Sequence, residues 1–272
     1  VKPLRIKNPY GAVVYHEETV SSTMEIARAL AAAAGPHGTV ITADFQEAGR
    51  GRHKRPWVTE RSDSLLFTIL LRYGDASLIP QALTLRAGLA VSLAIEDMAP
   101  GLPDLVQVKW PNDVMIRRGG EEPDPAFRKA AGILTEADGK TVYIGVGVNV
   151  TQQDFPQEYR HKVGSVIQAF PALPENARFI LLEKILSRLY GEIEGPQASP
   201  HPAASWQERL TRRLYKKGQQ VIFAPGAAAG ADCPERLVQG ILSGIGGGGE
   251  LRIIPNGETA ERAFVTGELR VY

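Results

Sequence analysis

Gly38-Thr39-Val40-Ile41-Thr42-Ala43-Asp44-Phe45-Gln46-Glu47-Ala48-Gly49-Arg50-Gly51-Arg52-His53-Lys54-Arg55-Pro56-Trp57 is a β-branched run that empties directly into a basic, glycine-punctuated loop. The first eight residues read as a strand, because branched side chains suit a pleated surface. The loop leaves the end of that strand, which is where α/β folds place ligands. Like charges repel, and glycines lose much entropy when ordered, so the segment has little reason of its own to hold one shape. An anion supplies the reason: guanidinium forks bind phosphate or carboxylate bidentately, and glycines let backbone N–H groups approach the same oxygens. A solvated basic loop and an electrostatic foot for nucleic acid remain open on this stretch alone.

Upstream, residues 1–12 are rich in turn formers, Ala12 to Tyr15 reads as a first strand, and Ser21, Ser22 and Thr23 can cap a helix that ends by Gly35-Pro36. Downstream, Ser64 to Leu71 is a nearly continuous apolar strand of the kind buried on both faces, and Ile79 to Met98 reads as one long helix. Val106 to Trp110 alternates and stops at Pro111-Asn112-Asp113; Val114 to Ile116 resumes the strand pattern, and 117–128 is a charged loop. Ala130 to Glu136 and Val142 to Val150 read as paired strands, Thr151 to Pro174 as a mobile covering loop, and Ala177 to Ile193 as an amphipathic helix. Gly195 to Pro202 is a connector and Ala204 to Leu214 a short helix. Short strands with glycine-rich turns then predict a small SH3-like β-barrel, with Gly244 to Gly249 as a flexible hairpin tip. The expected fold class is α/β (α+β), a mixed-sheet domain over 1–214 followed by the barrel over 215–272.

The 272 residues carry a formal charge of only +1, so the basic loop is a local feature and a surface devoted to nucleic acid is disfavoured. A single cysteine, Cys233, excludes an internal disulfide, and the five histidines are scattered rather than spaced as metal ligands. No signal segment and no apolar run long enough to span a bilayer is read, so the expectation is a cytoplasmic enzyme without a membrane partner.

Lys109 ends a half-buried strand, where its ammonium must reach water or an anion. It either points outward from an edge or stabilises charge on a transferring phosphoryl or acyl group. Asn112 suits an adenine edge as readily as a turn. Lys129 precedes small residues at which a ligand or another backbone comes close. Gly145, Gly147 and Asn149 lie inside a strand pattern with no helix following, which rejects a dinucleotide fingerprint.

Taken in order, Ser22-Thr23, Gln46 with Gly49-Arg50-Gly51-Arg52 and Trp57, Lys109-Trp110-Pro111-Asn112-Asp113, Lys129 with Ala131-Gly132-Ile133-Leu134 and Glu136, and Gly145 to Asn149 resemble biotin protein ligase. Gly267-Glu268-Leu269 resembles that family's small C-terminal domain, and the large domain in that family resembles class II synthetases. No helix-turn-helix of the bifunctional repressor members is present, so the resemblance implies a monofunctional ligase with no DNA partner.

The resemblance implies ATP-dependent activation of biotin to biotinyl-5'-AMP and transfer to a lysine of a biotin carboxyl carrier protein, with Mg2+ accompanying ATP. It places Ser22, Thr23, Gln46, Arg50, Gly51, Arg52, Lys109 and Gly132 at biotin, and Arg50, Arg52, Trp57, Asn112, Lys129 and Asn149 at ATP or the adenylate. Lys109 and Arg52 are the catalytic candidates; the metal ligands are not identified and a homodimer is left open. Two positions depart from the family pattern: Met24 where asparagine is common, and Lys54 where another glycine is common. A lipoate or octanoate ligase or transferase is the rival reading, and a non-catalytic RNA-binding protein the rival from another class. Residues 50–57 are expected to order only when the adenylate supplies an anion.

Overall fold

The computed structural model describes residues 1–57, 62–98, 105–117, 127–195, 205–226 and 237–270, with the Lys54 side chain excepted. Cys233, the charged stretch 118–126 and the connector at 196–204 lie outside the described residues. Strand β1 (Lys2–Leu4) pairs with β2 (Val14–Val20), helix α1 (Thr23–Ala32) crosses over, and β3 (Thr39–Gln46) and β4 (Ser64–Arg72) follow. Helix α2 (Leu83–Glu96) leads to β5 (Val106–Lys109), β6 (Asp113–Arg117), β7 (Phe127–Asp138) and β8 (Thr141–Asn149). Then come α3 (Val166–Ala169), α4 (Ala177–Ile193), α5 (Trp206–Arg212), and strands β9 (Gln220–Pro225), β10 (Val238–Ile245), β11 (Leu251–Pro255), β12 (Arg262–Phe264) and β13 (Gly267–Arg270).

Eight strands form one mixed sheet in the order β1-β2-β3-β4-β8-β7-β6-β5. Only β2 and β3 are parallel, as the α1 crossover between them requires. The period-2 alternation sends the two faces to different fates. On β4, Leu65, Phe67, Ile69 and Leu71 join Val142, Ile144, Val146 and Val148 of β8 in a core closed by α2 and α4. On the other face, Leu70, Ile41 and Tyr143 pack under α1 with Met24 and Ala27.

The second sheet is antiparallel, in the order β12-β11-β10-β9-β13. Its Val221, Phe223, Leu242, Leu251, Ile253 and Leu269 share one core with Leu85 and Leu89 of α2, Val108 of β5, Trp110, Leu210 and Leu214. The link from α5 runs beside β5, Val108 N donating to Arg213 O at 2.8 Å and Tyr215 N to Val108 O at 2.9 Å. Gly244 to Gly249 is not a loose tip: Trp110 Nε1 donates to Gly249 O at 3.0 Å, and Gly249 holds a positive φ of 90° against Ala82.

Several expectations are corrected. The first strand is β1 (Lys2–Leu4), which begins ten residues before the strand expected at Ala12, and β2 begins at Val14. The helix expected from Ile79 starts at Leu83, after a 3-10 turn at Ala76–Leu78, because Pro80 holds Ile79 in an extended conformation and Ala82 is left-handed. The stretch Ala76–Glu96 also reaches a mean hydropathy of 1.5, long and apolar enough to span a bilayer by composition. Its α2 portion is instead the central core helix, with Ala87, Ala90, Val91 and Ile95 buried in the core shared with the large sheet and α4, and Leu85 and Leu89 in the core shared with the second sheet. Residues 151–174, expected to be an irregular covering loop, contain the short helix α3; Phe155, Val166 and Phe170 are buried, as apolar anchors of such a loop should be.

Candidate active site

The face of the large sheet that α1 leaves uncovered is the floor of a cavity of about 450 Å³. It is open because the side chains aimed there by β7 and β8 include Gly132, Gly145 and Gly147, whose β-carbons would otherwise fill it. A Cβ on Gly147 would lie 2.7 Å from Cε2 of Trp57, and one on Gly132 2.9 Å from its Cζ3. The indole of Trp57 is thus seated on bare backbone, and its Nε1 is buried without a partner among the described residues. A Cβ on Gly145 would meet Cε of Met24 at 3.0 Å, so the methionine that departs from the family pattern packs against the floor.

One end of the cavity is a neutral hydrogen-bonding nest. Ser22 caps α1, its Oγ accepting from Met24 N at 3.3 Å. Thr23 donates to Gln46 Oε1 through its backbone N (2.8 Å) and its hydroxyl (2.9 Å), and the hydroxyl also lies 2.9 Å from Thr68 Oγ1. With its oxygen so occupied, Gln46 presents the Nε2 amide as a donor to whatever carbonyl enters.

The other end is cationic. Lys109, half-buried at the end of β5, is held below the ordinary lysine value by burial, against the opposing pull of Asp113 and Glu268. Lys129 Nζ lies 2.7 Å from Asp113 Oδ1 and 5.3 Å from the Trp57 ring centre. Asn112, after the Trp110–Pro111 peptide, accepts from Arg52 Nη1 at 3.3 Å and donates to Ile133 O at 3.1 Å. Arg52 Nη2 also reaches Gly267 O at 3.5 Å, and Arg55 forks onto Glu268 at 3.1 and 3.3 Å.

The basic loop also closes on itself through backbone hydrogen bonds. Gly51 N donates to Arg55 O at 2.8 Å and Trp57 N to Gly49 O at 2.9 Å, closing a tight turn with His53 at φ 55°. Glu25 and Glu268 supply counter-charge to Arg50 and Arg55, so the protein carries its own anions.

Ser22, Thr23, Gln46, Arg50, Gly51, Arg52, Trp57, Lys109, Asn112, Lys129, Gly132 and Asn149 all line this one cavity. Asn149 does so with its amide already used, donating to Gly164 O at 3.0 Å and accepting from Ser64 Oγ at 3.4 Å, which fastens the 151–165 segment to β8. Sequence reasoning did not single out Thr68, Arg55, Asp113 or Glu268 as site residues, nor the wall made by Gln152, Phe155, Pro156 and Tyr159. Asp113 sat in the Lys109-to-Asp113 motif and Arg55 in the basic loop, so both lay within stretches the sequence already marked.

The model of the Biotin/lipoate A/B protein ligase family matches residues 17–149. The Mycobacterium tuberculosis protein named Biotin--[acetyl-CoA-carboxylase] ligase is 33% identical over 198 residues, 71% of this chain and 68% of its own length. The chain belongs to the biotin/lipoate A/B protein ligase family. This family member is also 37% identical over 164 residues to the Bacillus subtilis protein named Bifunctional ligase/repressor BirA, over 58% of the chain. It spans less than half, 46%, of that relative's length. Its fold matches the Aquifex aeolicus biotin protein ligase solved with biotin and ATP, with a TM-score of 0.72 at 24% identity over 94% of this chain and 97% of that one.

Proposed function

We propose that the protein is a biotin protein ligase that forms biotinyl-5'-AMP from biotin and ATP, releases pyrophosphate, and transfers biotin to a lysine of a biotin carboxyl carrier protein or domain in the cytoplasm. The observation that carries the reading is the polarity of the cavity, with a donor-presenting amide nest at one end and clustered Lys109, Lys129, Arg52 and Arg55 at the other. A ligand with a carbonyl head and a carboxylate tail fits that polarity, and an ATP phosphate chain fits the cationic end. The proteins named above, including one solved with biotin and ATP, support the choice of substrates.

In the first step the carboxylate oxygen attacks the α-phosphorus and the bond to the β-phosphate oxygen breaks. Both reactants are anions, and Lys109 with Arg52 neutralises the charge that opposes their approach. Trp57 offers a face for the base, and the basic loop with the Tyr159 wall limits water at the mixed anhydride. In the second step a lysine amine attacks the acyl carbon and AMP leaves. A magnesium ion bound with ATP would add to the neutralisation of phosphate charge that Lys109 and Arg52 supply. Asp113 and Glu268 are the carboxylates that line the cavity, and the described residues contain no cluster of three metal-ligating side chains. We place a catalytic unit at 1–214 and a small β unit at 215–272, joined through their common core.

Biotin-dependent exchange of labelled pyrophosphate into ATP tests substrate and reaction together. Exchange with biotin, and none with lipoate or octanoate, is the expected result. Exchange driven by lipoate alone would overturn the substrate, and none with any acid would overturn the reaction.

A further inference from the structure

Glu268 is a carboxylate inside a cavity whose chemistry favours anions. It projects from edge strand β13, lines the same cavity as Lys109 and Arg52, and accepts both Nη groups of Arg55. Its side chain retains 33% exposure, so an entering ligand can reach it. Burial alone would raise the Glu268 carboxyl, but the Arg55 fork and the charges of Lys109 and Arg52 overrule it and hold it below the usual range. The other carboxylate that neutralises this loop, Glu25 on Arg50, does not line the cavity.

We infer that Glu268 is an internal stand-in for substrate phosphate: it pairs with Arg55 at the cationic end of the cavity and competes with a polyphosphate for that guanidinium. The inference rests on the reading of the cavity as a nucleotide site and adds a determinant of affinity to it. A polyphosphate entering beside Lys109 must share Arg55 with a like charge or displace it. Glu268 therefore weakens polyphosphate binding and favours departure of the pyrophosphate formed in the first step. It acts as a brake on product retention while giving Arg55 a counter-charge.

Titration calorimetry with inorganic tripolyphosphate, without metal, tests this on the 272-residue chain. Glu268→Gln keeps size and one hydrogen bond to Arg55 while removing the charge, and should bind tripolyphosphate roughly tenfold more tightly than wild type. Glu268→Asp, which keeps the charge, should not. Adding Arg55→Gln to the Glu268→Gln protein should abolish the gain, because the freed guanidinium carries it. In the biotin-dependent exchange, where pyrophosphate is itself a reactant, the Glu268→Gln protein should show a correspondingly lower apparent KM for pyrophosphate. Glu268→Gln binding at wild-type strength or more weakly would make Glu268 a structural latch and overturn the inference alone. A failure of wild type and variants alike to bind tripolyphosphate would overturn the nucleotide-site reading, and this inference with it.

Discussion

Burial of a lysine at the end of β5 disfavours its charged form, and Asp113 and Glu268 only partly offset this, so Lys109 titrates below the ordinary lysine value. The unfolded chain then holds the Lys109 proton more tightly than the folded one. Stability therefore rises with pH between the lowered value and the ordinary one, and at neutral pH the charged side chain is a burden on the fold. Retaining such a residue makes sense where an anion will be bound. We expect Lys109→Met to lower pyrophosphate exchange by about 100-fold or more without lowering the melting temperature at pH 7. Its melting-temperature difference from wild type should narrow as pH climbs into the lysine range. Wild-type exchange combined with a melting temperature several degrees lower would remove Lys109 from the chemistry.

Strand β8 has the clearest division of labour among the elements. Val142, Ile144, Val146 and Val148 fill the core, and Gly145 and Gly147 clear the floor on the opposite face. Gly147→Val should preserve the strand, since valine favours sheet, and yet unseat the indole that lies 2.7 Å from the new Cβ. Circular dichroism should match wild type, indole fluorescence should change, and exchange should fall; an unaltered exchange rate would mean the seat of Trp57 is dispensable. The apolar run of β4, the alternation of β8 and the composition of the basic loop were legible in the sequence because each is a local pattern. The strand Lys2–Leu4 was not, since it carries no strand pattern and is held by backbone pairing to β2. Nor was the role of Glu268, whose partner Arg55 lies 213 residues away. The same distance hid the closure of the loop, which depends on carboxylates brought in by α1 and β13.

At the level of the whole molecule, the two sheets are joined by a common apolar core rather than by a linker and a polar interface. Truncation after Leu214 would expose Leu85, Leu89, Val108 and Trp110 together. At about 1.5–3 kcal/mol for each large apolar side chain, their exposure takes a large share of the ~5–15 kcal/mol that stabilises a typical domain. The truncated chain should therefore be aggregated or loosened in size-exclusion chromatography and bind ANS; a monodisperse product with native near-ultraviolet dichroism would contradict the common core. The Arg55–Glu268 pair has a kinetic consequence. Contacts so remote in sequence carry a high loop-closure cost, so they form late in folding. The eight strands of the large sheet have all appeared by Asn149, yet Arg52 reaches Gly267 O and Arg55 reaches Glu268 only when β13 arrives. Competence for ligand should thus be the final event of refolding, lagging behind recovery of secondary structure.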